Sequence, residues 1–195
     1  MKTDTNWLKK YNIHITKSLG QNFLHDPNIL EKIVQAGEIQ KQDLVLEIGP
    51  GTGNLTSFLV KKAKKVIGIE IDKQLIPLLN ERFFDDPNVS FIHEDILKMD
   101  VQQQVLSQYP GFSTYKVIAN LPYYITTPIL MKFLQLEKSP QLMVLMMQKE
   151  VADRICAKVG TKAYGSLTVA VQYYCTPKKL FQVHPHCFMP QPDVT

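Results

Sequence analysis

Five short, almost unbroken apolar runs constrain this chain more than any other feature: Leu44 to Ile48, Val66 to Ile71, Val89 to Ile92, Lys116 to Ala119 and Leu142 to Met147. Strands that are apolar on both faces need cover on both faces, which is the situation of a parallel sheet between two layers of helices. The intervening segments carry helical spacing, as in Leu55, Phe58 and Leu59. This β-α rhythm predicts an α/β fold with a mostly parallel, doubly wound sheet, whose ligands bind at the carboxyl ends of the strands.

The first predicted helix opens at Asp26-Pro27, an N-cap followed by proline at the first helical position. It carries Ile29, Leu30, Ile33 and Val34 on one face and stops near Gly37. Residues 1–25 read as an N-terminal arm and 26–195 as one domain. A composition of 45% apolar and 21% charged residues fits a soluble globular protein. The net charge of +4 permits nucleic-acid binding without demanding it. Cys156, Cys175 and Cys187 are odd in number and widely spaced, which fits a reducing compartment rather than a disulfide framework. The N-terminus lacks an apolar signal core, and no apolar run approaches the roughly 20 residues that span a bilayer. A cytoplasmic location, with no membrane association, is expected.

The run Val45-Leu46-Glu47-Ile48-Gly49-Pro50-Gly51-Thr52-Gly53 joins a buried strand to a glycine loop, with a helix expected from about Asn54. Gly49 and Gly51 let the backbone approach a ligand closely. The spacing Gly-x-Gly-x-Gly differs from the Gly-x-Gly-x-x-Gly of dinucleotide binders, because position 54 is Asn. Asn54 therefore argues against a pyrophosphate site. The second strand ends in Glu70, where such folds hold a ribose diol, and the third ends in His93-Glu94-Asp95. Asp95 is placed to accept a hydrogen bond from an adenine amine. Singly, each acid fits an ordinary solvated strand end; together with the glycine loop they fit an adenosine-containing cofactor. The pattern resembles the Rossmann-like class I methyltransferases that use S-adenosyl-L-methionine, a cofactor without pyrophosphate.

The fourth strand ends in Asn120-Leu121-Pro122-Tyr123, which looks like the Asn/Asp-Pro-Pro-Tyr type of motif in methyltransferases acting on amino nitrogens. Its form with Leu is similar to that of the ribosomal RNA adenine N6,N6-dimethyltransferases. An exocyclic adenine amine is a poor nucleophile, so its site must hold it with acceptors in line with the methyl donor. The Asn120 side-chain oxygen and the Leu121 carbonyl suit that task, Pro122 fixes the loop, and Tyr123 offers a stacking face. The bland alternative for these residues is a strand-to-helix turn with half-buried tyrosines.

Gln21-Asn22-Phe23-Leu24 resembles the motif with which that family covers its cofactor, so Asn22 and Leu24 join Gly49, Gly51, Glu70, Asp95 and Asn120 as implied cofactor contacts. Gln148-Lys149-Glu150 and Lys162-Ala163-Tyr164-Gly165 look like the bacterial small-subunit branch. Phe188-Met189-Pro190-Gln191-Pro192 contains the family's Phe-x-Pro-x-Pro element, and by resemblance Phe188 stacks on the target base opposite Tyr123. His184-Pro185-His186-Cys187 has no partner cluster, so no metal site is expected.

The resemblance implies dimethylation of adenine N6 in small-subunit (16S) ribosomal RNA or a pre-ribosomal particle by a monomeric enzyme of ribosome biogenesis. The alternatives are the antibiotic-resistance branch acting on large-subunit RNA, or a ribosome-assembly binding factor with little activity. Family members usually continue through a last strand, pairing beside one over Thr176 to Val183, and a small helical C-terminal domain. Both are expected to be absent here, leaving cofactor binding with weak or no methylation of the full RNA target. Lys9, Lys10 and Lys17 in the arm are candidates for phosphate contact, whereas Lys61, Lys62, Lys64 and Lys65 read as a solvated helix end.

Overall fold

The computed structural model describes residues 4–13, 21–121 and 125–192, with residues 4–6 described in backbone only. Eight helices and seven strands alternate among these residues in the order α1 Asp4–Lys10, β1 Phe23–Leu24, α2 Pro27–Ala36, β2 Leu44–Ile48, α3 Thr56–Leu59, β3 Lys65–Glu70, α4 Leu75–Arg82, β4 Val89–His93, α5 Val101–Gln104, β5 Lys116–Asn120, α6 Thr126–Leu134, β6 Leu142–Met146, α7 Lys149–Ile155, α8 Ser166–Tyr174 and β7 Phe188–Met189. All five expected strands form.

They make one parallel sheet in the order β4-β3-β2-β5-β6. The chain winds outward from β2 through β3 to β4, then crosses back to lay β5 on the other side of β2. Loops leaving β2 and β5 therefore diverge, and a crevice opens between them at the carboxyl end. Alternation along the strands divides the core. Leu44, Leu46 and Ile48 pack with Val101 of α5, the adjoining Val105, and Ile129 and Phe133 of α6 on one face. Val45, Val66 and Ile118 pack with Leu30, Ile33 and Val34 of α2 and Leu59 of α3 on the other.

Local chemistry explains the helix boundaries. Asp26 caps α2 by accepting from the Asn28 and Ile29 backbone N–H groups at 2.8 and 3.3 Å, with Pro27 at the first position. At the far end, Gly37 lies so close to Ile118 that an added Cβ would stand 3.0 Å from its Cδ1. Lys149 opens α7 directly after Gln148, and Thr168 holds the start of α8 by accepting from Gly165 N–H while donating to Arg154 O at 2.6 Å.

Three findings lie outside the sequence expectations. The first is α1, within the segment read as an arm: Leu8 and Ile13 bury against Leu75, Leu78, Leu79 and Phe83, while Lys10 and Tyr11 both donate to Glu81 of α4. The second is a two-stranded antiparallel sheet, β1 with β7, pairing Phe23 with Met189 and Leu24 with Phe188. The third corrects the expected strand at Thr176 to Val183, which has no ladder partner among the described residues. Pro177 removes one ladder donor there, and Leu180 and Phe181 stand exposed. No helix of the described residues is long and apolar enough to cross a membrane.

Glu47 is the anomaly of the central strand. It lies 1% exposed on the α2/α3 face of β2, accepts a hydrogen bond from Thr56 Oγ1 at 2.6 Å, and burial, aided by nearby Glu70, pushes its carboxyl up to about 8. A carboxyl raised in the folded state keeps a proton that the unfolded chain releases, so its contribution is full below the unfolded value and fades as pH rises through the folded one. The stability of wild type relative to Glu47→Gln should therefore fall by up to about 1.4 kcal/mol per pH unit between pH ~5 and ~8, then level off. Urea melts of both proteins across that range check it; a pH-independent difference would contradict it.

Candidate cofactor and amine site

The crevice at the switch point is lined by the ends of the first four sheet strands in chain order and by the segment around β1. Its walls include Asn22, Leu24, Gly49, Gly51, Glu70, Asp95, Asn120, Leu121 and Phe188, nine residues singled out in the sequence. Pro122, Tyr123 and Lys17, also singled out there, lie outside the described residues.

The glycine loop forms the floor. Gly49, Gly51 and Gly53 have φ of 68°, 60° and 84°, in the left-handed region. At Gly53 the requirement is also steric, because a Cβ would stand 2.6 Å from the Phe83 ring. Gly49 faces open space, where a Cβ would meet nothing nearer than Asn120 O at 3.9 Å, so the backbone there is accessible to a ligand.

Glu70 stands where β3 ends, 4% exposed. Its Oε2 accepts from Gly51 N–H at 3.0 Å and its Oε1 from Asp72 N–H at 2.9 Å. Burial raises its carboxyl pKa, opposed by those two donors, which favour the ionised form. Each carboxylate oxygen has a second lone pair, so the group can still receive a diol. Asp95 is more committed than its sequence position suggests: its Oδ1 accepts from Leu97 N–H at 2.9 Å and its Oδ2 lies 3.8 Å from Lys98 Nζ. Glu47 and Glu94 complete four carboxyl groups around the cleft.

Asn120 ends β5, and its Nδ2 donates to the Asn22 backbone oxygen at 3.3 Å. Leu121 follows, 3% exposed in the core, which anchors the chain at the end of β5. Phe188 sits in the wall 7% exposed, held by β1 and packed with Leu24 and Leu30. The arm lysines divide: Lys10 is paired with Glu81, whereas Lys9 is exposed. In the lysine run, Lys61 lies over the Phe58 ring, Lys64 over Phe112 and Lys65 over Tyr109, at 5.5, 5.6 and 5.9 Å.

Two polar residues here had no assigned role in the sequence. Asn54, read only as a missing glycine, donates from Nδ2 to Leu24 O at 2.9 Å and accepts from Arg82 Nη1 at 3.1 Å. Gln21 donates to Asp72 Oδ2 at 2.7 Å. The polar character of Gln21 and Asn54 beside apolar runs was the available signal, but their partners are remote in the chain.

Chemically, the site offers an open glycine floor, carboxylates suited to hydroxyl and amine donors or to a cation, and an amide at the rim. A profile for the family described as ribosomal RNA adenine dimethylase matches residues 12–195. Among curated relatives, ribosomal RNA small subunit methyltransferase A of Alkaliphilus metalliredigens is 52% identical over 187 residues, 96% of this chain and 65% of its own. The protein of that name from Anoxybacillus flavithermus is 51% identical, with 96% and 63% covered. The chain thus spans less than two thirds of the length of these relatives. Of solved structures, a dimethyladenosine transferase from Plasmodium falciparum matches with TM-score 0.78 at 36% identity, covering 88% of this chain and 60% of that one. The 23S rRNA methyltransferase ErmE matches with TM-score 0.75 at 27% identity, covering 89% and 66%. The extent of the profile match and these identities agree with the geometry: the chain belongs to the ribosomal RNA adenine dimethylase family.

Proposed function

We propose that this chain is the methyltransferase core, residues 26–195 with the cofactor-covering segment before it, of an S-adenosyl-L-methionine-dependent enzyme. It dimethylates adenine N6 in small-subunit ribosomal RNA, as a cytoplasmic monomer. The observation that carries this reading is the meeting of the glycine loop, Glu70 and Asn120 in one crevice. Two relatives about 50% identical carry small-subunit names, which favours that branch over large-subunit RNA.

The residues present fit the cofactor. Gly49 leaves its backbone open to the ligand, Glu70 retains acceptor capacity for the ribose diol, and Asp95 borders the same cleft at the next strand end. The carboxyl groups around the cleft, Glu47 only once it has lost its proton, suit a cationic sulfonium and oppose a pyrophosphate, a stronger argument against dinucleotides than the spacing of glycines. When bound, S-adenosyl-L-methionine supplies an electrophilic methyl group.

The protein's share of the chemistry is positioning and electrostatic support. Asn120 Oδ1 and the Leu121 carbonyl accept the two amine hydrogens and draw the nitrogen lone pair out of the ring. Tyr123 and Phe188 hold the base by stacking. A general base is not needed, since the proton is lost from a cationic product nitrogen to water.

Calorimetry and labelled methyl transfer test the reading. The chain should bind S-adenosyl-L-methionine, and Glu70→Ala should weaken that binding by about 10–100-fold, the loss of hydrogen bonds to a charged group. Any label transferred should enter adenines of the small subunit; label confined to the large subunit would overturn the branch, and absence of cofactor binding the whole reading. Asn120→Ala should lower the transfer rate at saturating cofactor by about 10²–10³, the scale of one lost electrostatic positioning group. An unchanged rate would remove Asn120 from the mechanism.

A further inference from the structure

Gln21–Leu24 crosses the cleft as a strap, fastened to three different loops. Gln21 Nε2 donates to Asp72 Oδ2 beyond β3 at 2.7 Å, Asn54 Nδ2 beyond β2 donates to Leu24 O at 2.9 Å, and Asn120 Nδ2 at the end of β5 donates to Asn22 O at 3.3 Å. Arg82 Nη1 donates to Asn54 Oδ1 at 3.1 Å and to Thr52 O at 2.5 Å, which keeps the Asn54 amino group turned toward the strap.

The third fastening uses the amide assigned above to the target amine. A carbonyl oxygen accepts and cannot donate, so only the amino end of the Asn120 amide can face Asn22 O; the flipped amide would set oxygen against oxygen. The strap thus fixes the amide's sense and turns Oδ1 away from itself, in a side chain that lines the cleft.

Resting on the proposed methyltransferase reading, we propose that fastening the strap over the cofactor and orienting the Asn120 acceptor are one event, coupled through the Asn22 backbone carbonyl. Asn22 is on this account a positioning group, and position 120 needs a donor and an acceptor at once. Aspartate would be the stronger acceptor for an amine, but it offers no hydrogen to the strap and sets a negative oxygen against Asn22 O. The strap, not the amine, therefore dictates asparagine.

The test is calorimetry on this chain at pH 8 with S-adenosylhomocysteine, whose neutral thioether removes any sulfonium attraction for a new carboxylate. Wild type should bind most tightly, Asn120→Ala several-fold more weakly, and Asn120→Asp at least tenfold more weakly than wild type. Binding by Asn120→Asp equal to wild type, or tighter than Asn120→Ala, overturns the coupling while leaving the methyltransferase reading intact; failure of wild type to bind removes that reading first. Asn54→Leu changes no charge and loosens the strap from its other end. It should weaken S-adenosylhomocysteine several-fold and speed amide hydrogen exchange over residues 21–25, as should Asn120→Asp. Wild-type exchange and affinity in Asn54→Leu would also overturn the proposal.

Discussion

One carboxylate ties this site together. Glu70 receives Gly51 N–H on one oxygen and Asp72 N–H on the other, so the loops after β2 and β3 are fixed to each other through a side chain buried between them. Burying a carboxylate costs free energy, and two backbone donors offset much of that cost while Glu70 satisfies amides that these loops would otherwise strand. The rest of the cleft is referred to this junction. Asp72 is the acceptor for Gln21, and the glycine loop that Gly51 belongs to ends in Asn54, which holds Leu24.

The fold was legible where burial is symmetrical. β2 is buried at every position, and its apolar run reads as a covered strand without any partner being known. The same holds for the N-cap of α2, since Asp26 and Pro27 act on their immediate neighbours. What escaped was long-range. The seven residues of α1 are too few to show a helical period, and their stability comes from the surface of α4 and from Glu81. The pairing of β1 with β7 joins two-residue strands from opposite ends of the chain, and two residues carry no alternation.

Site residues divide on the same line. Glu70, Gly49, Gly51 and Asn120 are marked by position at strand ends, because topology alone brings strand ends to one edge of a parallel sheet. Asn54 and Gln21 carry only a weak local mark, polarity beside apolar runs; each matters through hydrogen bonds to distant segments. The lysines make the complementary point. Lys116 is buried with Asp43 at 2.8 Å, and Lys132 donates to Leu97 O and Met99 O, so a share of the positive charge serves packing within the fold. Net charge is accordingly a poor measure of the positive surface left for an anionic partner.

The carboxyl groups of the cleft connect stability to binding. Burial raises both Glu47 and Glu70, the Glu70 carboxylate makes Glu47 harder to ionise, and Asp72 does the same to Glu70. A cation entering the cleft favours the ionised forms, whereas a neutral ligand of the same shape does not. A cationic ligand and a neutral one should therefore respond to pH with different slopes, the cation gaining as pH rises and Glu47 loses its proton near 8. The same desolvation that weakens the fold at alkaline pH thus gives the cleft a means of distinguishing a cationic ligand from a neutral one of the same shape.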